Sequence, residues 1–284
     1  MSNIIIFNSS NVVGNTNSQF RYNFPQGSFT IKKGRICVIQ VIIPYSNFNI
    51  TSTYENNSFS YNFPTVGQSN QFTSFNVLLP NGNYSIPDIN RYMESVFISN
   101  GQYVIDSNGN NIYFAQFIVD PVYYAIQILT FPMYTATTLP VGYTLPSNFY
   151  GYPVVGICPQ ININNAEFGK IIGYNVGLYG STIETTPQSF LSNTTPSASV
   201  VNGVIMRVNL VNNSASIPSD ILTSFGFSGA VFGSNIIYTP PFEQFVKINP
   251  GTYSFISLSL VDQSLNTIPF NDPNVLITLL LESE

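Results

Sequence analysis

Histidine is absent from this 284-residue chain, and so is tryptophan. The first absence removes Ser-His-Asp and Cys-His catalysis, histidine-ligated zinc and the commonest general base at neutral pH. Charge is scarce too: 7% of the residues are Asp, Glu, Lys or Arg, against about a quarter in ordinary soluble domains. With eight basic residues and a net charge of −5, direct nucleic-acid binding is not expected, because phosphate contacts need clustered cations. Cys37 and Cys158 are the only cysteines, too few for a disulfide framework, and read as free thiols. No apolar run approaches the ~18 residues of a membrane-spanning helix. The opening segment Met1 to Phe7 has neither the basic stretch nor the apolar length of a signal peptide, so the chain is expected to be made and kept in a cytosolic compartment.

What the chain has instead is Asn, Gly, Pro and aromatic residues. Asn occurs 35 times, and its short amide suits turns because it tolerates left-handed backbone and bonds its own main chain. With 18 Tyr, 23 Phe and so few charges, the composition fits either buried interfaces, which are depleted in Lys, Glu and Asp, or the codon bias of an AT-rich genome, which favours Ile, Asn, Tyr and Phe whatever the fold. At 44% hydrophobic residues there is enough apolar surface for one large or two modest cores.

Residues 1–19 are polar and lack a sustained period, which reads as an extended N-terminal arm, leaving 20–284 as the main domain. Ile36 to Ile43 is apolar and β-branched at nearly every position, as in a strand buried on both faces, and Pro44 ends it. Lys32, Lys33 and Arg35 flank a tight turn at Gly34 and read as solvated strand ends. Phe59 to Phe63 and Phe72 to Leu79 are further strands. The spacing predicts one substantial helix over 86–99: Ser85 and Asp88 form a capping-box start, Pro87 lies in the first turn, and Ile89, Tyr92, Met93, Val96 and Phe97 share a face. Asn100-Gly101 stops it.

Asn108-Gly109 marks a hairpin among short strands from 102 to 131. Five prolines then interrupt residues 132–165, which read as a variable surface excursion. Later strands are expected at 170–174, 203–211, 235–238, 256–260 and 276–281. Many short strands with Gly, Pro and Asn turns and a single helix imply an all-β sandwich, and the long connections favour a single jelly roll.

No group of residues assembles into a site. Gly226-Phe227-Ser228-Gly229-Ala230 resembles a nucleophile elbow in outline, but its fifth position is Ala and no histidine exists to activate Ser228. Gly177 to Thr182 lacks the lysine of a phosphate loop. Asp106 to Asn110 spaces oxygens as a calcium loop does, yet Asn111 and Phe117 stand where that loop needs Gly and Glu. Asp262, Asp272 and Glu243 read as solvated groups at strand ends. The expectation is therefore no catalytic residue, no cofactor-binding residue, no metal ligand and no enzymatic activity.

The order of the strand and turn motifs carries a resemblance. Lys33-Gly34-Arg35 and its buried strand lead to Pro44-Tyr45-Ser46-Asn47-Phe48-Asn49-Ile50, then Leu79-Pro80-Asn81-Gly82-Asn83-Tyr84-Ser85-Ile86-Pro87-Asp88. Phe168 to Tyr174, Ile217 to Leu222, Pro240 to Ile248 and Phe255 to Gln263 follow in the same order. From about residue 20 to 281 this resembles the penton, or minor capsid, protein of virophages and of related polinton-like double-stranded DNA viruses and transposons. The resemblance implies an upright jelly roll, a homopentamer at each five-fold vertex of an icosahedral capsid, and double jelly-roll capsomers of a major capsid protein as neighbours. It places the protein in the virion after synthesis in host cytoplasm. The alternative is a receptor- or glycan-binding virion spike with a jelly-roll fold, since jelly rolls also serve as lectins.

Overall fold

The computed structural model describes residues 1–197, 201–227 and 229–284. Its chain divides into two compact units, one of Met1–Phe48 with Val201–Glu284 and one of Asn49–Val200. Strands account for 40% of the residues and helix for 9%. The first unit begins with β1 (Ser2–Asn8), β2 (Gln19–Asn23), β3 (Phe29–Ile31) and β4 (Gly34–Pro44). The second unit starts with β5 (Ser58–Pro64), β6 (Phe72–Leu78), α1 (Ile86–Ser99), β7 (Tyr103–Ile105), β8 (Asn111–Tyr113), β9 (Ala115–Asp120) and β10 (Ala125–Thr130). It ends with β11 (Gln160–Ile163), α2 (Ala166–Ile172), β12 (Gly177–Tyr179) and β13 (Gln188–Leu191). The chain returns to the first unit through β14 (Gly203–Val208), β15 (Ile221–Gly226) and β16 (Asn235–Tyr238). It finishes with β17 (Val246–Lys247), β18 (Gly251–Tyr253), β19 (Phe255–Val261) and β20 (Leu276–Ser283).

The first unit is a sandwich of two antiparallel sheets, ordered β1-β20-β4-β16 and β15-β14-β19-β2. Alternate residues point inward, so Ile277, Leu279 and Leu281 of one sheet meet Ile256, Leu258 and Leu260 of the other in one core. Taken in chain order, β1, β2, β4, β14, β15, β16, β19 and β20 fill places B to I of an eight-stranded double Greek key. One sheet then reads B-I-D-G and the other C-H-E-F, which is the strand order of a jelly roll. The all-β, single jelly-roll expectation holds for this unit. The whole of the second unit lies in sequence between places D and E.

Two boundary expectations are corrected. Residues 1–19 do not form an extended arm: β1 pairs with β20 over seven consecutive positions from Ser2↔Glu282 to Asn8↔Leu276, and Ile5 and Phe7 are buried in the core. The polar composition concealed the alternation of Ile5 and Phe7 inward with Ile4 and Ile6 outward. Nor is 20–284 one domain, since residues 49–200 build a core of their own.

That second core is aromatic. A four-stranded sheet, β12-β11-β5-β6, and a three-stranded one, β13-β10-β9, share it with α1. Phe59 stacks on Phe168 at 4.9 Å, and Tyr61 meets the edge of Phe97 at 5.0 Å. Burial raises the Tyr61 phenol above its ordinary pKa, and its hydroxyl donates to Gln102 Oε1 at 2.5 Å. The helix over 86–99 forms with the predicted bounds: Ser85 accepts from Asp88 N at 3.3 Å while Asp88 Oδ2 accepts from Ser85 N at 3.0 Å. Met93 is wholly buried, and Asn90 Oδ1 ties the helix to Phe117 N at 2.8 Å.

The strand expected at 170–174 is instead the end of α2. Asn165 caps it by accepting from Glu167 N and Phe168 N, Lys170 pairs with Glu167 at 2.6 Å, and Gly173 closes it at φ 76°. Residues 132–165 are irregular up to β11, but they are not a surface excursion. Met133, Ile157 and Cys158 are buried, Tyr134, Tyr143, Phe149 and Tyr150 pack on the second core, and β11 runs between β12 and β5.

Candidate assembly surfaces

Three of the acids singled out for chemistry, Asp106, Asp262 and Asp272, hold turns. Asp106 Oδ1 accepts from Asn108 N and Asn110 N, each at 2.8 Å, which makes the 106–110 segment an Asx-type turn in the β7–β8 hairpin. Asp262 was expected to be solvated but is buried, with its Oδ1 taking Ser264 N and Asn266 N at 2.8 Å. Asp272 Oδ1 takes Asn274 N at 2.9 Å. Gly177–Tyr179 is a strand paired with β11, and Ser228 of the elbow-like segment lies outside the described residues.

Both thiols are free and buried. Burial pushes Cys37 up to about 11, with Glu243 and Glu282 adding to the shift and Arg35 opposing it. Burial likewise raises Cys158 to about 11. Only the thiolate attacks disulfides and metals, so neither group is a nucleophile at neutral pH. A disulfide exchange reagent should therefore label no thiol in the native protein over minutes and two per chain in denaturant; rapid native labelling would contradict this burial.

The outer faces of the two jelly-roll sheets differ sharply in chemistry. On the B-I-D-G sheet, Leu276, Ile42 and Ile237 are cross-strand neighbours in one row. Ile6, Thr278 and Gln40 form the next, and Ile4 and Leu280 pair in another, whose β4 neighbour Cys37 is buried. No charge interrupts these rows, and Ile4 and Ile237 are 67% and 65% exposed. Charge returns at the sheet's end, where Ser2, Glu282 and Arg35 align.

The outer face of the C-H-E-F sheet is polar. Gln19, Ser259 and Arg207 lie in one row, and Arg21 faces Ser257 in another. The Arg21 guanidinium covers the Phe255 ring at 3.9 Å, and Arg207 forks onto Asp220 with Nη2–Oδ2 at 2.9 Å. Ser257 N donates to Asn209 Oδ1 at 2.9 Å. The jelly-roll unit thus has two unlike outer faces, one apolar and one hydrogen-bonding.

Sequence reasoning anticipated an uncharged surface but placed no residue on it, because the exposed side of a strand is decided by register. In the second unit the β9–β10 hairpin tip carries Val122, Tyr123 and Tyr124 exposed at 83%, 70% and 74%. That run gave no signal beyond its aromatics.

No known family matches the chain by sequence, and no curated protein does either. Solved structures similar to it include the mavirus penton protein, at 9% identity and a TM-score of 0.43 over 100% of both chains. A chain of the Sputnik virophage structure is 13% identical with a TM-score of 0.41, over 99% of this chain and 97% of the other. The strand order itself makes this chain a jelly-roll protein that carries a second, aromatic-cored unit between its third and fourth sandwich strands.

Proposed function

We propose that the protein is a non-enzymatic structural subunit of a virus shell, a penton that closes five-fold vertices as a homopentamer beside double jelly-roll capsomers. The observation that carries this reading is the pair of unlike outer faces on one charge-poor jelly roll. A closed ring of identical chains uses heterologous contacts, one face of each copy meeting a different face of the next. An apolar wall such as Ile4, Ile6, Leu276 and Ile237 supplies anchors, while Ser, Asn and Gln on the other wall tolerate a wet contact. The collinear motifs from Lys33-Gly34-Arg35 to Phe255–Gln263 point to the same role, in the virion after synthesis in host cytoplasm.

Sedimentation of the purified chain should show pentamers whose share rises with concentration. Replacing Ile237 and Leu276 with Lys should shift the protein to monomer, since an unpaired charge in such a contact costs about 3–5 kcal/mol. Their exposure leaves the fold intact, which an unchanged melting temperature verifies. A wild type that stays monomeric at high concentration would count against the ring.

A spike that binds glycans is the second reading, favoured by the exposed Tyr123 and Tyr124, whose rings suit stacking on sugars. Specific binding of a soluble glycan by a monomer, lost in a Tyr123→Ser, Tyr124→Ser variant, would select it.

A further inference from the structure

Four of the eight basic residues in the chain line one cleft. Lys32, Lys33, Arg35 and Lys247 meet there with Glu282 and Glu284, in a concavity of about 920 Å³ at one end of the jelly roll. Two of the cations are matched: Arg35 bonds Glu282 at 2.6 Å and Lys33 lies 3.7 Å from Glu284. Among the described residues, Lys32 and Lys247 form no ion pair.

Strand register makes this arrangement unfavourable as it stands. Lys247 is the direct cross-strand partner of Arg35, and like charges placed directly opposite destabilise a sheet. Arg35 is already engaged by Glu282 and by the Phe245 ring, 4.0 Å from its guanidinium carbon. The cleft thus holds an excess of two positive charges in a chain whose net charge is −5. An anion seated between Lys32 and Lys247 relieves that excess.

We infer that this cleft binds an extended acidic peptide segment through two carboxylates, one on Lys32 and one on Lys247. The walls favour a peptide over nucleic acid. Duplex DNA carries a charge about every 1.7 Å of its axis and needs an open, uncompensated basic face, whereas Glu282 and Glu284 stand in this wall. A strand-like segment advances about 3.3 Å per residue and sets alternate side chains on one face, which presents a row of carboxylates along the cleft. Ile248 and Pro250 offer it an apolar floor, and the Asn212 side chain offers a polar partner. This inference does not depend on the vertex assignment.

Fluorescence anisotropy of the full-length protein with a short fluorescein-labelled Asp/Gly peptide tests it, beside the same peptide with Asn for Asp and a short labelled DNA duplex. The Asp peptide should bind, weaken with added salt, and lose about tenfold or more in affinity in K32Q/K247Q. Because both lysines are exposed and removing Lys247 relieves a like-charge pair with Arg35, the variant should melt no lower than the wild type. Absence of binding, equal binding of the Asn peptide, or wild-type affinity in the variant each overturns the proposal. Duplex DNA binding more tightly, with the same dependence on the two lysines, overturns it in favour of a nucleic-acid site.

Discussion

Phe7→Ala should lower the melting temperature by about 10 °C, and removal of residues 2–8 should leave the jelly roll unable to fold. Phe7 is wholly buried, with Phe20 at 6.4 Å and Tyr22 at 6.2 Å in edge-to-face contact. Truncating a buried Phe to Ala costs about 3–5 kcal/mol, the sum of lost transfer energy and a cavity, and each kcal/mol moves the midpoint of a domain this size by about 2–4 °C. Deletion goes further, because β20 loses a seven-residue partner strand and becomes an unprotected edge. Thermal melts followed by circular dichroism decide the matter, with Ile4→Ala as the control. Ile4 sits on the same strand but is exposed, so its truncation should stay within about 0.5 kcal/mol. A deletion variant that melts like the wild type would mean that β1 is dispensable.

Gly101→Ala should cost about 2–4 kcal/mol through contacts that are all backbone. Gly101 has φ 67°, and a Cβ there would stand 1.9 Å from the Asn148 carbonyl oxygen and 2.9 Å from Tyr150 N. Those atoms cannot rotate away, because Tyr150 N donates to Gly101 O at 2.9 Å and Asn148 Nδ2 donates to Ile98 O at 3.0 Å. The Cβ therefore pries the irregular 146–150 segment off the end of α1, adding overpacking to a left-handed backbone penalty of about 1 kcal/mol. Gly109→Ala separates the two contributions: its φ is 86° but nothing lies within 4 Å of the added carbon, so only the backbone penalty of about 1 kcal/mol should appear. Equal melting temperatures for the two variants would show that the Asn148 contact does not constrain the fold.

Gly101 also shows where local reasoning stops. Its place after Asn100 identified the helix end, since a C-terminal glycine is a matter of neighbouring residues. Nothing nearby in sequence announced that residue 148 would close over it.

The same division runs through the rest of the molecule. Helix α1, the strands at 36–43, 59–63, 235–238 and 276–281, and the turn at Asn108-Gly109 were legible because a cap, a period or a turn residue acts within a few positions. Helix α2 was legible in principle, from Asn165, from Phe168, Ile171 and Ile172 on one face, and from Gly173. It lost to a strand reading because two turns are too short for a period to outweigh two consecutive isoleucines. For β1, four apolar residues among asparagines carried too little pattern to reveal a partner at the far end of the chain.

By itself the sequence determined the class: strands dense in turns that lead to a β sandwich, in a chain with no histidine and little charge. The tertiary structure alone decided that β4 is followed in the sandwich by β14, that a second core forms between them, and which wall of each sheet is apolar. It alone brought Lys247 beside Arg35. Composition and periodicity report what each residue prefers locally, whereas pairing between distant strands is settled by which registers bury both faces at once.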